Sequence, residues 1–250
     1  MLALYVEAPF AVCRTFTAGW YRPTATFLTP SAAYGLVMNL AGIETRLREE
    51  GKSHPGKVPA TSMRSGLPAV KIALGASAFR REGRHMLEVR DSDRFPQVGT
   101  IYQQLHNYPV GSSGEGRAST TFGNKYNITP VRRELLVSLR AIIALDGNAD
   151  LEACVRCGLL GELSSDRYGL PFLGDNAFLP DRIEILDAPP PSHWFERISE
   201  EQSTIRARTT RLTIWIDRAD MSRTKSELYA PGELATEVPP AAWTNISPPP

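Results

Sequence analysis

The chain has 250 residues, of which 42% are hydrophobic and 22% charged, and its formal net charge is +1. This composition is typical of a globular protein with a core, and 20 proline and 19 glycine residues argue against a helical bundle. No apolar run is long enough to span a membrane, and three cysteines do not make a disulfide framework. Met1 to Phe10 contains Glu7 and lacks the basic start of a signal peptide. We expect a reduced, cytoplasmic protein.

Charge is segregated along the chain. Residues 44–140 contain 16 Lys and Arg against 9 Asp and Glu, whereas residues 141–201 contain 4 against 12. Residues 202–226 are basic again, with 6 against 2. This pattern suits a protein that binds a polyanion on one face and a protein on another, but ordinary solvated faces would explain it equally well.

The first elements in chain order are a strand and a helix. Leu2 to Val12 is apolar with aromatic and β-branched residues, which predicts a strand. Arg14 to Pro30 is predicted to be a loop, and a helix follows with Ser31 as its N-cap. The apolar stripe of this helix consists of Ala33, Leu36, Val37, Leu40 and Ile43.

A second strand precedes a long insertion. Ala69 to Ala76 predicts the strand, and Phe79 to Thr129 follows with scattered basic and aromatic residues. We interpret this stretch as a β-hairpin insertion with a mobile tip at its glycine clusters, Gly111 to Gly114 and Gly123-Asn124.

The next stretch predicts a strand, a helix and a loop. Glu134 to Leu145 has helical propensity, but its place in the pattern favours a strand. Asn148 to Leu163 predicts a helix with its N-cap at Asn148 or Asp150. Tyr168 to Pro180 is a loop punctuated by glycine and proline.

Arg182 to Leu186 predicts the last strand of a βαββαβ pattern, which is the order of a ferredoxin-like, RRM-like α+β fold. We therefore expect such a domain over residues 1–187, with a thumb insertion at about 79–129. Residues 188–231 are predicted to form a small C-terminal β segment that includes Thr204 to Asp217. Residues 232–250 are predicted to be a proline-rich tail.

Three stretches in this order resemble one protein family. They are Leu28 to Ile43 (LTPSAAYGLVMNLAGI), Ile128 to Leu136 (ITPVRRELL) and Tyr168 to Pro180 (YGLPFLGDNAFLP). Together they resemble the Cas-five family, the subunits that cap the guide RNA 5′ handle in CRISPR Cascade complexes, and above all its DevS-like branch of type I-B. The resemblance covers about residues 1–187.

The resemblance implies a ferredoxin-like body that grips the 5′ handle of the crRNA and a thumb that lies against the guide. It also implies contacts with the adjacent Cascade backbone subunit and with the large subunit, and an indirect role in DNA targeting. The sequence contains no recognisable catalytic motif, and we expect no catalytic residue, no metal and no cofactor.

The first candidate RNA-binding residues surround the start of the first helix. Single-stranded RNA is held by cations on its phosphates and by aromatic or arginine planes on its bases. Arg14, Tyr21 and Arg22 offer both, and Ser31 lies at a helix N-terminus, where phosphate binds well. For Trp20 we favour packing in the core or against a partner.

The second candidate patch lies at the base of the thumb: Lys125, Tyr126, Asn127, Arg132 and Arg133. Adjacent strand residues point to opposite faces, so at most one of the two arginines should face a given RNA groove. A solvated hairpin base is the alternative.

Further candidates lie in the glycine-rich loop and in the thumb. Arg167 and Tyr168 begin the loop, whose glycines would let the backbone approach RNA closely, or would simply form a structural turn at Gly174. Possible contacts to the RNA backbone from the thumb are Arg90, Arg94, Tyr102 and Arg117.

Two other functions stay open. A metal-independent endoribonuclease that processes repeat RNA could use His106 with Tyr102 or Tyr108, and Lys125 or Tyr126. An RRM-like RNA binder unrelated to CRISPR would need an aromatic run on a central strand, which Glu134 to Leu145 lacks. Cys154 and Cys157 form a lone C-x-x-C pair, for which helix packing is a better interpretation than zinc.

Overall fold

The computed structural model describes residues 1–15, 21–47, 63–109, 126–164, 167–198, 206–217 and 220–248. For 105–109 and 126–129 it describes the backbone alone.

The described residues form a mixed fold of strands with two α-helices. The strands are β1 (Leu2–Ala11), β2 (Tyr21–Arg22), β3 (Val70–Ser77), β4 (Phe79–Glu82), β5 (His85–Glu88), β6 (Gln97–Pro109), β7 (Tyr126–Asp146), β8 (Arg182–Leu186), β9 (Ser192–Arg197), β10 (Thr210–Trp215), β11 (Lys225–Ala235) and β12 (Thr244–Ile246). The helices are α1 (Pro30–Leu40) and α2 (Ala149–Leu160). None of the described helices is both long and apolar enough to cross a membrane.

All strands but β4 and β5 belong to one sheet. Its main path runs β10-β11-β9-β3-β7-β1-β8, and every neighbouring pair on this path is antiparallel. β12 pairs with β3 beside β9, while β6 and β2 flank the first half of β7. The expected α+β class is confirmed.

The core lies between the sheet and the helices. Alternate residues of β1, Leu2, Leu4 and Val6, are fully buried in one cluster with residues of α1 such as Val37. A fully buried leucine of this kind contributes about 1.5–3 kcal/mol. The other face of the sheet carries a smaller cluster around Trp194.

Helix α1 begins at Pro30, close to where the sequence predicts, but its N-cap differs from the prediction. Thr29, not Ser31, is the N-cap, and its hydroxyl accepts a hydrogen bond from the Ala32 amide at 3.2 Å. Pro30 takes the first helical position, where the absence of an N–H costs nothing. Ser31 lies inside the first turn, and its hydroxyl is 3.2 Å from that of Thr29.

The predicted strand at residues 134–145 is confirmed as part of β7, and its helical propensity is overridden by pairing on both sides. The predicted helix after it is confirmed as α2, with Asn148 as the N-cap.

The insertion after β3 contains two hairpins rather than one. β4 pairs with β5, and β6 then pairs with the first half of β7 in a long antiparallel ladder. The glycine-rich stretch at 111–114 and the pair Gly123-Asn124, which we interpreted as a mobile tip, lie outside the described residues.

The C-terminal region is more ordered than its composition predicts. β9 lies before Thr204 to Asp217, the stretch singled out as β in the sequence, and β11 continues through Pro231 to Ala235. Its pairing with β9 becomes irregular after Pro231, as expected for a residue without an N–H. Thr244–Ile246, within the predicted tail, instead pairs with β3 as β12.

Candidate nucleic-acid interface

The candidate site is built on the first half of β7, where β6 and β2 flank it. β2 runs parallel to β7 and places Tyr21 beside Arg132 and Arg22 beside Arg133. β6 runs antiparallel on the other edge and places Tyr102 opposite Arg132. Because side chains alternate along a strand, Arg132 and Arg133 lie on opposite faces of this three-stranded region.

One face presents an exposed row of side chains, Tyr21, Arg132 and Tyr102. The Arg132 guanidinium lies over the Tyr21 ring, 5.5 Å from its centre, a typical cation–π distance. Tyr21 is 46% exposed and Tyr102 is 79% exposed. Arg132 is exposed as well, and no ion pair holds it among the described residues.

Glu134 fixes the position of Tyr21. The Tyr21 hydroxyl donates a hydrogen bond to one carboxylate oxygen of Glu134, and the amide of Thr24 donates to the other at 3.1 Å. This hydrogen bond to a carboxylate, above all, raises the pKa of Tyr21, since deprotonation would break it and set two negative charges together. The ring is therefore held neutral and in one orientation.

The opposite face carries a buried ion pair. Arg133 is 5% exposed, and its guanidinium lies 2.7 Å from the carboxylate of Asp175 and 3.1 Å from the side-chain oxygen of Gln103. It also lies over the Phe178 ring at 5.5 Å. Arg14, whose side chain is 58% exposed, reaches the same carboxylate at 3.3 Å. The charge of Arg133 is therefore matched within the protein.

Asp175 is ionised in this setting. Burial alone would raise its pKa, but hydrogen bonds from the Ala177 amide and from Arg133, together with the charges of Arg133 and Arg14, lower the pKa below its usual value. The carboxylate therefore joins the loop after α2 to β7.

The glycine-rich loop, residues 168–180, packs closely against the end of β1. The Val12 amide donates to the Leu173 carbonyl at 3.0 Å. Gly174 has a φ of +76°, and a Cβ there would lie 1.5 Å from the Val12 carbonyl oxygen. The structure thus gives Gly174 the role of a tight structural turn, whereas nothing lies within 4 Å of a Cβ at Gly169.

Arg167 and Tyr168 have different surroundings. The Arg167 guanidinium donates to the Gly158 carbonyl, which ties the loop to α2. Tyr168 is partly buried, and burial is the main reason that its pKa is raised. Arg46 lies over its ring at 5.4 Å, and the side-chain amide of Asn39 donates a hydrogen bond to the Gly169 carbonyl at 3.1 Å.

A cleft of about 1080 Å³ opens between α1, the glycine-rich loop and the residues after β10. Its lining is mainly apolar, but three of the residues predicted to bind RNA contribute to it: Arg14, Ser31 and Tyr168. Arg46, which the sequence analysis did not single out, lines it too.

The predicted residues therefore fall into separate groups. Tyr21 and Arg132 share one face, whereas Arg133 is buried on the other and Arg167 bonds to the backbone. Lys125 lies outside the described residues, and for Tyr126 and Asn127 the structure describes only the backbone.

The candidate residues of the thumb also differ in their exposure. Arg94 is largely buried and paired with Glu88 at 3.1 Å and Asp91 at 2.7 Å, whereas Arg90 is exposed. Arg117 lies outside the described residues.

The residues of the nuclease alternative are described only in part. His106 and Tyr108 are described by their backbone alone. Trp20, which we expected to pack in the core or against a partner, lies outside the described residues. Cys154 and Cys157 both lie on α2 and are not joined to each other. Among the described residues, no three His, Cys, Asp or Glu side chains are close enough to hold a metal ion.

Two bonding partners of the candidate residues, Asp175 and Glu134, could not be identified from the sequence. Asp175 lies 42 residues from Arg133 along the chain, and Glu134 lies 113 residues from Tyr21. Only an acidic residue inside an otherwise apolar loop, as at Asp175, could have signalled a buried ion pair.

No family model matches the chain, and no curated protein matches its sequence. A solved structure described as a CRISPR RNA-guided surveillance complex contains a chain with the same fold, at a TM-score of 0.52 and 16% identity. The match covers 96% of this chain and 92% of that chain. A second, described as a crystal structure of a Cas protein, has a TM-score of 0.43 and 12% identity over 95% and 97% of the two chains, and adds nothing further.

Proposed function

We propose that this chain is a non-catalytic subunit of a CRISPR surveillance complex of the Cascade type, and that it binds the 5′ handle of the crRNA. One observation carries the proposal: the fold of a chain from an RNA-guided surveillance complex extends over nearly all of this one. Fold alone does not define function. The three sequence stretches that resemble the Cas-five family, type I-B branch, support the same assignment independently.

The strand order supports a ferredoxin-like core. β8-β1-β7-β3 are neighbours in that order, α1 connects β1 with β3, and α2 connects β7 with β8. This is the arrangement that a split βαβ repeat produces. The paired β6 and the first half of β7 then correspond to the thumb that the family resemblance implies.

The cations and rings around β7 are the groups that would hold RNA. Arg132 and Tyr21 offer planes for bases on one face of β7. Arg14 and the half-buried Arg22, which lie on the side of Arg133, offer charges for phosphates. Arg133 and Arg167 support this surface from within, since their guanidinium groups are already bonded inside the protein.

Within such a complex, base pairing of the guide reads the target DNA, and the proteins hold the RNA by its shape and backbone. The chain would contact the adjacent backbone subunit and the large subunit. The segregated charge supports this division, with the basic residues 44–140 toward RNA and the acidic residues 141–201 toward protein.

The decisive experiment is purification of the full chain with a synthetic CRISPR repeat RNA, with gels that follow binding and cleavage. We expect tight binding and intact RNA. The double variant Arg14→Ala, Arg22→Ala should weaken binding by about tenfold or more, because each removes a phosphate contact. Arg156→Ala, at an exposed position of α2, removes a charge elsewhere and should leave binding unchanged.

The same gels test the endoribonuclease alternative. Site-specific cleavage that is lost in His106→Ala would replace the scaffold role with repeat processing. Absence of RNA binding by the unmodified chain would contradict both.

A further inference from the structure

We propose that Tyr21, Arg132 and Tyr102 form a stacking row for two successive unpaired RNA bases. The inference rests on the proposed function, in that it requires RNA to reach this face of the protein. It goes further by naming the groups that receive bases and the kind of contact that they make.

The geometry of the row follows from the pairing of three strands. Both tyrosines lie directly beside Arg132, one across the parallel pair and one across the antiparallel pair. Adjacent strands are about 4.8 Å apart, so the backbones that carry the two tyrosines are separated by about 10 Å, with the strand that carries Arg132 between them. Two bases of an extended strand can lie on such a row.

Exposure of these side chains argues against a role in packing. Tyr102 is 79% exposed although it lies within a long paired strand. On the opposite face, the next residue of β6, Gln103, instead accepts a hydrogen bond from Arg133 within the protein. An aromatic ring left in solvent next to an arginine plane is the combination that binds single-stranded nucleic acid without sequence preference.

Charge and rigidity favour RNA over an apolar protein partner. Arg132 has no ion pair within the described part of the chain, so a phosphate can approach it without displacing a carboxylate. Glu134 is already occupied by the Tyr21 hydroxyl and the Thr24 amide, which holds the Tyr21 ring in place before a ligand arrives. A prearranged ring loses little conformational entropy on binding.

The test uses the full chain and an unstructured single-stranded RNA of about eight nucleotides that carries 2-aminopurine at successive positions. Stacking on an aromatic ring quenches this fluorophore. We expect quenching at two adjacent positions with the unmodified chain. Tyr102→Leu should remove quenching at one position and raise the Kd about tenfold, since it keeps apolar area but loses the ring.

Matched variants separate stacking from other effects. Tyr102→Phe keeps the ring and should behave like the unmodified chain. Arg132→Lys keeps the charge but loses the plane, and should also lose affinity. Thr100→Ala, an exposed position on the same face of β6, should have no effect.

The outcomes distinguish this inference from the proposed function. Normal binding and quenching by Tyr102→Leu, with repeat RNA still bound, would overturn the stacking row alone. Failure of the unmodified chain to bind any RNA would overturn both. If Tyr102→Leu bound RNA normally but no longer copurified with other subunits, the row would be a protein contact and the inference would be wrong.

Discussion

Arg132 and Arg133 are adjacent on β7 and chemically identical, yet they have opposite environments. Arg132 is exposed and stacked on Tyr21, whereas Arg133 is buried against Asp175 and Phe178. Strand geometry sends the two side chains to opposite faces, and the burial of one face then decides their roles. A charge in water can serve a ligand, whereas a buried charge must be matched inside the protein.

The largest expected effect comes from breaking the buried face. Arg133→Ala should reduce the free energy of unfolding by about 3–5 kcal/mol, because among the described residues it leaves the Asp175 carboxylate with the exposed Arg14 as its only cation. Urea denaturation measures this. Arg132→Ala is the matched control and should change stability by less than about 0.5 kcal/mol. Equal losses in the two variants would contradict the assignment of the faces.

The next largest loss of stability should come from weakening the contact between the glycine-rich loop and the end of β1. Gly174→Ala should cost about 2 kcal/mol or more, since an alanine is strained at this positive φ and its Cβ would collide with the Val12 carbonyl. Gly169→Ala lies in the same loop with free space around it and should have little effect on the melting temperature. A similar loss at both positions would show that the loop is not held at Gly174.

A smaller effect should appear as a pH dependence. The folded protein lowers the pKa of Asp175 below its ordinary value of about 3.9. As the pH falls, the unfolded chain therefore binds this proton at a higher pH than the folded chain does. The stabilisation is complete above that pH and is lost as pH falls through the folded pKa. In Asp175→Asn the free energy of unfolding should therefore fall less steeply with acid than in the unmodified chain. If the free energy of unfolding fell with acid equally steeply in both chains, Asp175 would not be the source of the pH dependence.

The main strands and helices of the core show how far sequence patterns reach. Apolar and β-branched residues predicted β1, β3 and β8, and a cap at Asn148 or Asp150 helped to predict α2, since these signals depend on neighbours in the chain. The N-cap of α1 was assigned to Ser31 instead of Thr29, because the two hydroxyl residues on either side of Pro30 carry nearly the same signal.

The C-terminal strands show where such patterns fail. Thr244–Ile246 is too short and too polar in its surroundings to predict a strand, and it becomes one by pairing with β3, far away in the chain. Near the other end of the chain, β2 is only two residues long, and it exists because β7 offers it an edge. Strands of this kind are decided by the partner edge that the fold provides.

The sequence by itself determined the order of the main strands and helices, and it established that only one of Arg132 and Arg133 can face a given ligand, since side-chain alternation is a local rule. Only the tertiary structure decided which of them is exposed. That choice depends on the loop carrying Asp175, which lies 42 residues from Arg133 and packs on one face of β7. Burial and charge pairing between distant segments are properties of the folded chain, and they separate the arginine that supports the surface from the one that can bind.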